Sequence, residues 1–71
     1  MNYQEIEKVI KSYELGDDIR VLIDNTWKSF ETPKQAVKAW NEENPDAPLG
    51  GSTPLKKIEE LMWIQKAEIV K

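Results

Sequence analysis

Asp17-Asp18-Ile19-Arg20-Val21-Leu22-Ile23-Asp24-Asn25-Thr26-Trp27-Lys28-Ser29-Phe30 is the stretch on which the fold turns, because it can be read as a helix or as a strand. As a helix it has an N-cap in Asp17 or Asp18, and Ile19, Leu22, Ile23, Thr26, Trp27 and Phe30 then follow a three-and-four spacing over three turns. As a strand it has only the branched run from Ile19 to Ile23 in its favour. The helical spacing continues past any ordinary strand length. The stretch is therefore assigned to a helix, with Trp27 and Phe30 on its buried face.

On the N-terminal side, Tyr3, Ile6, Val9, Ile10 and Tyr13 mark one apolar helix face, and Leu15-Gly16 supplies a stop. On the C-terminal side, Thr32-Pro33-Lys34-Gln35 is a helix start: the hydroxyl can accept from an orphan amide, Pro33 sits where its missing donor costs nothing, and Gln35 completes a capping box. That third helix buries Ala36, Val37, Ala39 and Trp40, whose indole N–H is expected to find a carbonyl, and Pro45 ends it near Asn44. A second start, Ser52-Thr53-Pro54, opens a last helix carrying Leu55, Ile58, Leu61, Met62, Ile64 and Ile69, with Trp63, Ala67 and Val70 on another stripe. In the connection between these helices, Pro45 and Pro54 fix exit and entry and Leu49 plugs the gap. Gly50 and Gly51 are expected to take backbone angles closed to other residues. The expected fold is all-α, a compact single-domain bundle of about four helices over residues 1–71, with a Gly/Pro-rich loop between helices three and four.

A chain of 71 residues holds one domain. Ordering it costs roughly 1.5 kcal/mol per residue, close to what burial returns at this size. Without cysteine no disulfide can help, so a partner or self-association is expected to contribute. The hydrophobic share of 39% and three tryptophans are enough for a globular core. No leader-like N-terminus and no membrane-length apolar run is present, so a cytoplasmic protein is expected. The net charge is −3, with both signs interspersed, which disfavours a phosphate-backbone binder.

Histidine and cysteine are both absent, which removes the usual general base, the thiolate nucleophile and zinc sites built on either ligand. The acidic pairs Asp17-Asp18, Glu42-Glu43 and Glu59-Glu60 diverge as helix neighbours and read as caps and solvated surface. Gly50-Gly51-Ser52-Thr53 lacks both P-loop and dinucleotide spacing, and Pro54 removes an amide that an anion would need. A non-enzyme with no cofactor or metal is expected. Trp63 lies off its helix's main stripe, which leaves packing and partner binding both open.

Phe30, Thr32-Pro33, Ala36, Trp40, Asn44-Pro45, Leu49-Gly50-Gly51 and Thr53-Pro54-Leu55 together resemble the toxin-binding domain at the C-terminal end of Xre/MbcA/ParS-type antitoxins. The match runs from Phe30 to about Ile58. The resemblance implies a helical domain that neutralises a toxin enzyme, often a RES-type toxin that consumes NAD, by covering its active-site cleft. Three features depart from the family pattern: Asn41 stands after the tryptophan in place of a leucine, Asp46-Ala47-Pro48 lengthens the approach to Leu49, and Trp63 stands where a glycine often breaks the last helix. Nor is the family's usual DNA-binding domain to be found in residues 1–29.

The functional expectation is an antitoxin-like inhibitory module that contacts its partner through Trp63, Lys66, Ile69, Val70 and Lys71. Trp27, Phe30, Pro33, Trp40, Pro45, Leu49, Gly50, Gly51, Thr53, Pro54 and Leu55 are expected to form its loop and core. A small acidic phage or mobile-element protein that blocks a host defence factor is the alternative, and an orphan module that only self-associates is a third reading. A helix-turn-helix around Arg20 and Lys28 lacks the polar residues that read base edges.

Overall fold

A computed structural model describes residues 2–71. Its elements run α1 (Tyr3–Lys11), β1 (Asp18–Ile23), β2 (Thr26–Phe30), α2 (Pro33–Glu43), α3 (Pro54–Trp63) and β3 (Ala67–Val70). The strands form an antiparallel sheet in the order β2-β1-β3, and the helices cover one of its faces. The expected all-α bundle does not form: residues 18–30 and 67–70 are strands.

The first correction has a local cause. Asp24 and Asn25 both take left-handed backbone angles, φ 52° and 61°, and close a two-residue hairpin in which Ile23 pairs with Thr26. Such a turn matches the twist of its flanking strands, and these are the residue types besides glycine that best tolerate those angles. The helical reading is persuasive because a one-sided hairpin shares much of its pattern: Ile19, Ile23 and Phe30 face the core either way. Val21 and Trp27 separate the two. Val21 lies off the helical stripe yet is fully buried, whereas Trp27 lies on that stripe and is 41% exposed. The β1 pairs Ile19 with Phe30, Val21 with Lys28 and Leu22 with Trp27, so Trp27 falls on the face away from the helices.

The second correction concerns the last helix, which stops at Trp63 without glycine or proline. Gln65 adopts φ 60°; its amide donates to the Met62 carbonyl at 3.0 Å, and the Lys66 amide donates to the Leu61 carbonyl at 2.9 Å. This is the paired bonding of a Schellman motif with glutamine in the place glycine prefers. The chain reverses there, and β3 pairs with β1 from Asp18–Val70 to Val21–Ala67.

The remaining boundaries follow local chemistry. The Asn2 side chain caps α1, accepting from the Glu5 amide at 2.9 Å. That helix ends at Lys11, short of the expected Leu15-Gly16 stop, and Gly16 instead takes φ 106° in the following turn. Thr32 and Thr53 each accept from an amide three residues on at 3.2 Å, with Pro33 and Pro54 at the first helical positions. Gln35 accepts from the Glu31 amide at 3.2 Å, one residue before the capping-box partner. Asn44 closes α2, its backbone and side-chain N–H groups both donating to the Trp40 carbonyl. Gly51 does not take a left-handed angle as expected. It is needed for space, since a Cβ there would lie 2.7 Å from the Lys56 carbonyl carbon and the Lys57 nitrogen.

Ile19, Val21 and Ile23 of β1 meet Ile6 and Ile10 of α1, Ala36, Val37 and Trp40 of α2, Ile58, Leu61 and Met62 of α3, and Ala67 of β3. Phe30, Leu49 and Leu55 pack against this core from its margin.

Two outcomes check this arrangement. Val21→Ala should cost about 2 kcal/mol in denaturant unfolding, and Trp27→Ala should cost less; the reverse order would contradict the strand register. Gln65→Gly should raise stability by about 1 kcal/mol, because it relieves the left-handed strain at the end of α3.

Candidate protein-binding surface

The helical face carries an aromatic pair at one end. Helices α1 and α3 run antiparallel, which brings Tyr3 at the start of one against Trp63 at the end of the other. Their ring centroids lie 5.6 Å apart at 78°, an edge-to-face arrangement that aromatic quadrupoles favour. Both stay accessible, Tyr3 at 71% and Trp63 at 48% exposure. Exposed large aromatics placed together are characteristic of contact surfaces.

Beside the pair lies Glu59, four residues before Trp63 on the same helix and only 7% exposed. Its carboxylate accepts from Lys56 Nζ at 3.5 Å. Glu59, Lys56 and Trp63 line two depressions, one towards α1 with Glu7 and Ile10, and one towards the interhelical loop with Gly50 and Gly51. The loop is tied to the helix by Glu60, whose carboxylate accepts from the Gly50 amide at 2.8 Å. Gly50 therefore offers this surface a bound backbone donor and not a special angle.

The other four expected contact residues do not gather around Trp63. The expectation placed them along one helix, but β3 sends alternate side chains to opposite faces. Ile69 points inward and packs on the core, while Val70 is exposed. Lys66 sits over Trp40, its ammonium 5.7 Å from the ring centroid. Trp40 is buried as expected, and its indole N–H donates to the Ala47 carbonyl at 3.4 Å. Lys71 is occupied at home: its ammonium lies 3.3 Å from Asp17 Oδ2 and donates to the Ser12 carbonyl at 2.6 Å.

The uncovered face of the sheet is a second exposed surface. Arg20 bridges Glu68 at 2.8 Å, and its guanidinium carbon lies 5.9 Å from the Trp27 ring centroid, with Leu22 beside Trp27 in the adjoining pair. Tyr3, Arg20 and Leu22 are not evident as surface features in the sequence, and Glu59, expected on the solvated surface with Glu60, is instead buried where α3 meets α1. The period-two alternation within Ile19 to Ile23 was the available signal for Arg20 and Leu22. For Tyr3 and Glu59, whose setting depends on how α1 meets α3, no local signal exists.

Among the described residues no group of three or more acidic side chains is placed to hold a metal ion, and no helix is long and apolar enough to cross a membrane. No protein-family model matches the chain, and neither a curated protein nor a solved structure matches it.

Asp17 gives the surface-loop chemistry a pH signature. The Glu14 amide, donating to its Oδ2 at 3.0 Å, holds the Asp17 carboxyl below the ordinary 3.8; partial burial pushes the other way, and Lys71 adds to the lowering. A lowered folded-state value means that this group stabilises the fold above pH 3.8 and loses that contribution as pH falls through its own lower value. In an NMR titration, Lys71→Met should raise the Asp17 value only part of the way to 3.8, because the amide remains; full recovery would make Lys71 the larger cause.

Proposed function

We propose that this chain is a protein-binding module that docks on a partner protein through the Tyr3–Trp63 end of the α1–α3 face, and that it inhibits an enzyme by covering the enzyme's cleft. The observation that carries the docking surface is the pairing of two large accessible aromatics beside the buried Glu59 carboxylate. Tryptophan and tyrosine are the side chains that most often dominate binding energy when a partner desolvates them. The prevailing negative charge and the absence of histidine and cysteine fit a binding role better than nucleic-acid recognition or the commoner catalytic mechanisms.

Inhibition by occlusion rests on the antitoxin-like run from Phe30 to about Ile58, most of it between Thr32 and Leu55. Those residues form α2, its capped start, the interhelical loop and the first turn of α3. The all-helical domain implied by the resemblance is not the fold of this chain, so the shared element is a helix–loop–helix within an α/β architecture. Gly51 lets the loop of that element lie against the first turn of α3, since a Cβ there would meet the Lys56 and Lys57 backbone.

A photo-crosslinking amino acid at position 63, introduced in the native host, should give a discrete adduct with one protein, and the same group at position 27 should not. Trp63→Ala should weaken binding of the purified partner at least about tenfold and relieve its inhibition in proportion. An adduct from position 27 alone would move the contact to the open sheet face. Unchanged affinity in Trp63→Ala would refute the aromatic anchor.

A further inference from the structure

We infer that the groove between α2 and α3 is a separate docking site for an acidic protein segment carrying apolar side chains between its carboxylates. The groove has a volume of about 460 Å³, and Val37 and Pro54 contribute its apolar floor. Lys34 and Lys38, one turn apart on α2, and Lys57 across from them on α3 supply its cations, opposed by Glu42. The protein carries a net charge of −3, yet three of its 10 basic residues converge here.

Each ion pair among the described residues lies elsewhere: Lys11 with Glu7, Arg20 with Glu68, Lys56 with Glu59 and Lys71 with Asp17. The lysines of the groove are thus left without carboxylate partners, and a bound acid would complement them. Lysine stems can also lie along apolar surface while their ammonium groups reach the rim, which suits a floor built from Val37 and Pro54.

The groove continues past Asn41, towards the C-terminal end of α2. A neighbouring depression of about 230 Å³ shares Asn41 and Lys57 with it and adds Pro48 and Leu49, so a segment could run along α2 towards the interhelical loop. This combination selects among anionic partners. A single-stranded nucleic acid binds through aromatic stacking platforms as well as cations, and no aromatic side chain lines either depression. A membrane surface requires apolar residues that project outward, whereas these line a concavity. An acidic peptide with leucine or phenylalanine side chains meets both the charge and the floor.

The site is independent of the proposed Trp63 surface, since neither depression shares a residue with that face apart from the helix they both use. The test is an amide-shift titration of the full chain with a short peptide alternating glutamate with leucine and phenylalanine, with affinity read by anisotropy. Shifts should concentrate at Val37, Asn41 and Lys57. Combined Lys34→Gln, Lys38→Gln and Lys57→Gln should weaken binding about tenfold, and added salt should do the same in part. Equal binding of the glutamine-for-glutamate peptide, or of polyglutamate, would overturn the inference by removing the need for charge or for the apolar floor. So would shifts confined to Tyr3 and Trp63, an absence of shifts, or the same groove shifts produced by a single-stranded oligonucleotide or by phosphatidylserine vesicles but not by the peptide.

Discussion

β1 is hydrogen-bonded along both edges, to β2 through a turn two residues long and to β3 across a separation of 46 to 52 residues. Its inward side chains, Ile19, Val21 and Ile23, are almost completely buried, so a slip of one residue would exchange them for Arg20 and Leu22. This register fixes where the helices rest. α2 packs on β1 and β2, α3 packs on β3 and on α2, and α1 is held by α3. The two grooves beside α3 are consequences of that order, since α3 has a helix on either side of it and cannot fill both seams.

Charge follows the same geometry. The carboxylates of Glu59 and Glu60 turn from α3 towards the α1 seam and the loop, one meeting Lys56 and the other the Gly50 amide. Lys57, between them and their lysine neighbour in sequence, turns to the α2 seam. Consecutive helical residues point about 100° apart, and a run that reads as mixed charge is sorted by the fold into two surfaces of different character. A buried carboxylate with one ion pair contributes little net stability, so the Lys56–Glu59 pair is not what holds α3 in place.

The features legible in the sequence were those decided within a few residues. Thr32-Pro33 and Thr53-Pro54 begin helices, Asn44-Pro45 ends one, and Trp40 is buried with its N–H on a carbonyl, because capping and proline sterics act locally. The sheet was hidden for two physical reasons. The inward residues of a one-sided hairpin nearly coincide with a helical stripe, and the deciding pair, Val21 and Trp27, can be told apart only once a core exists to bury one of them. The stop after Trp63 relies on glutamine in a left-handed conformation, which propensity opposes and the returning β3 strand imposes. Missing that stop placed Lys66, Ile69, Val70 and Lys71 on one imagined stripe. Trp63 and its surroundings were legible only as an aromatic out of register.

The pairing of Asp18 with Val70 joins residues 52 positions apart in a chain of 71, and that separation has a kinetic meaning. The hairpin and both helix caps can form from neighbours, but the β1–β3 ladder must wait until the intervening chain has closed into a loop, an entropic cost that rises with its length. The four residues of β3 therefore depend for their ladder on a strand far away in sequence. Release of that strand would bare the β1 edge from Asp18 to Val21 while the hairpin remained intact, and an unpaired strand edge is a template for pairing with another chain.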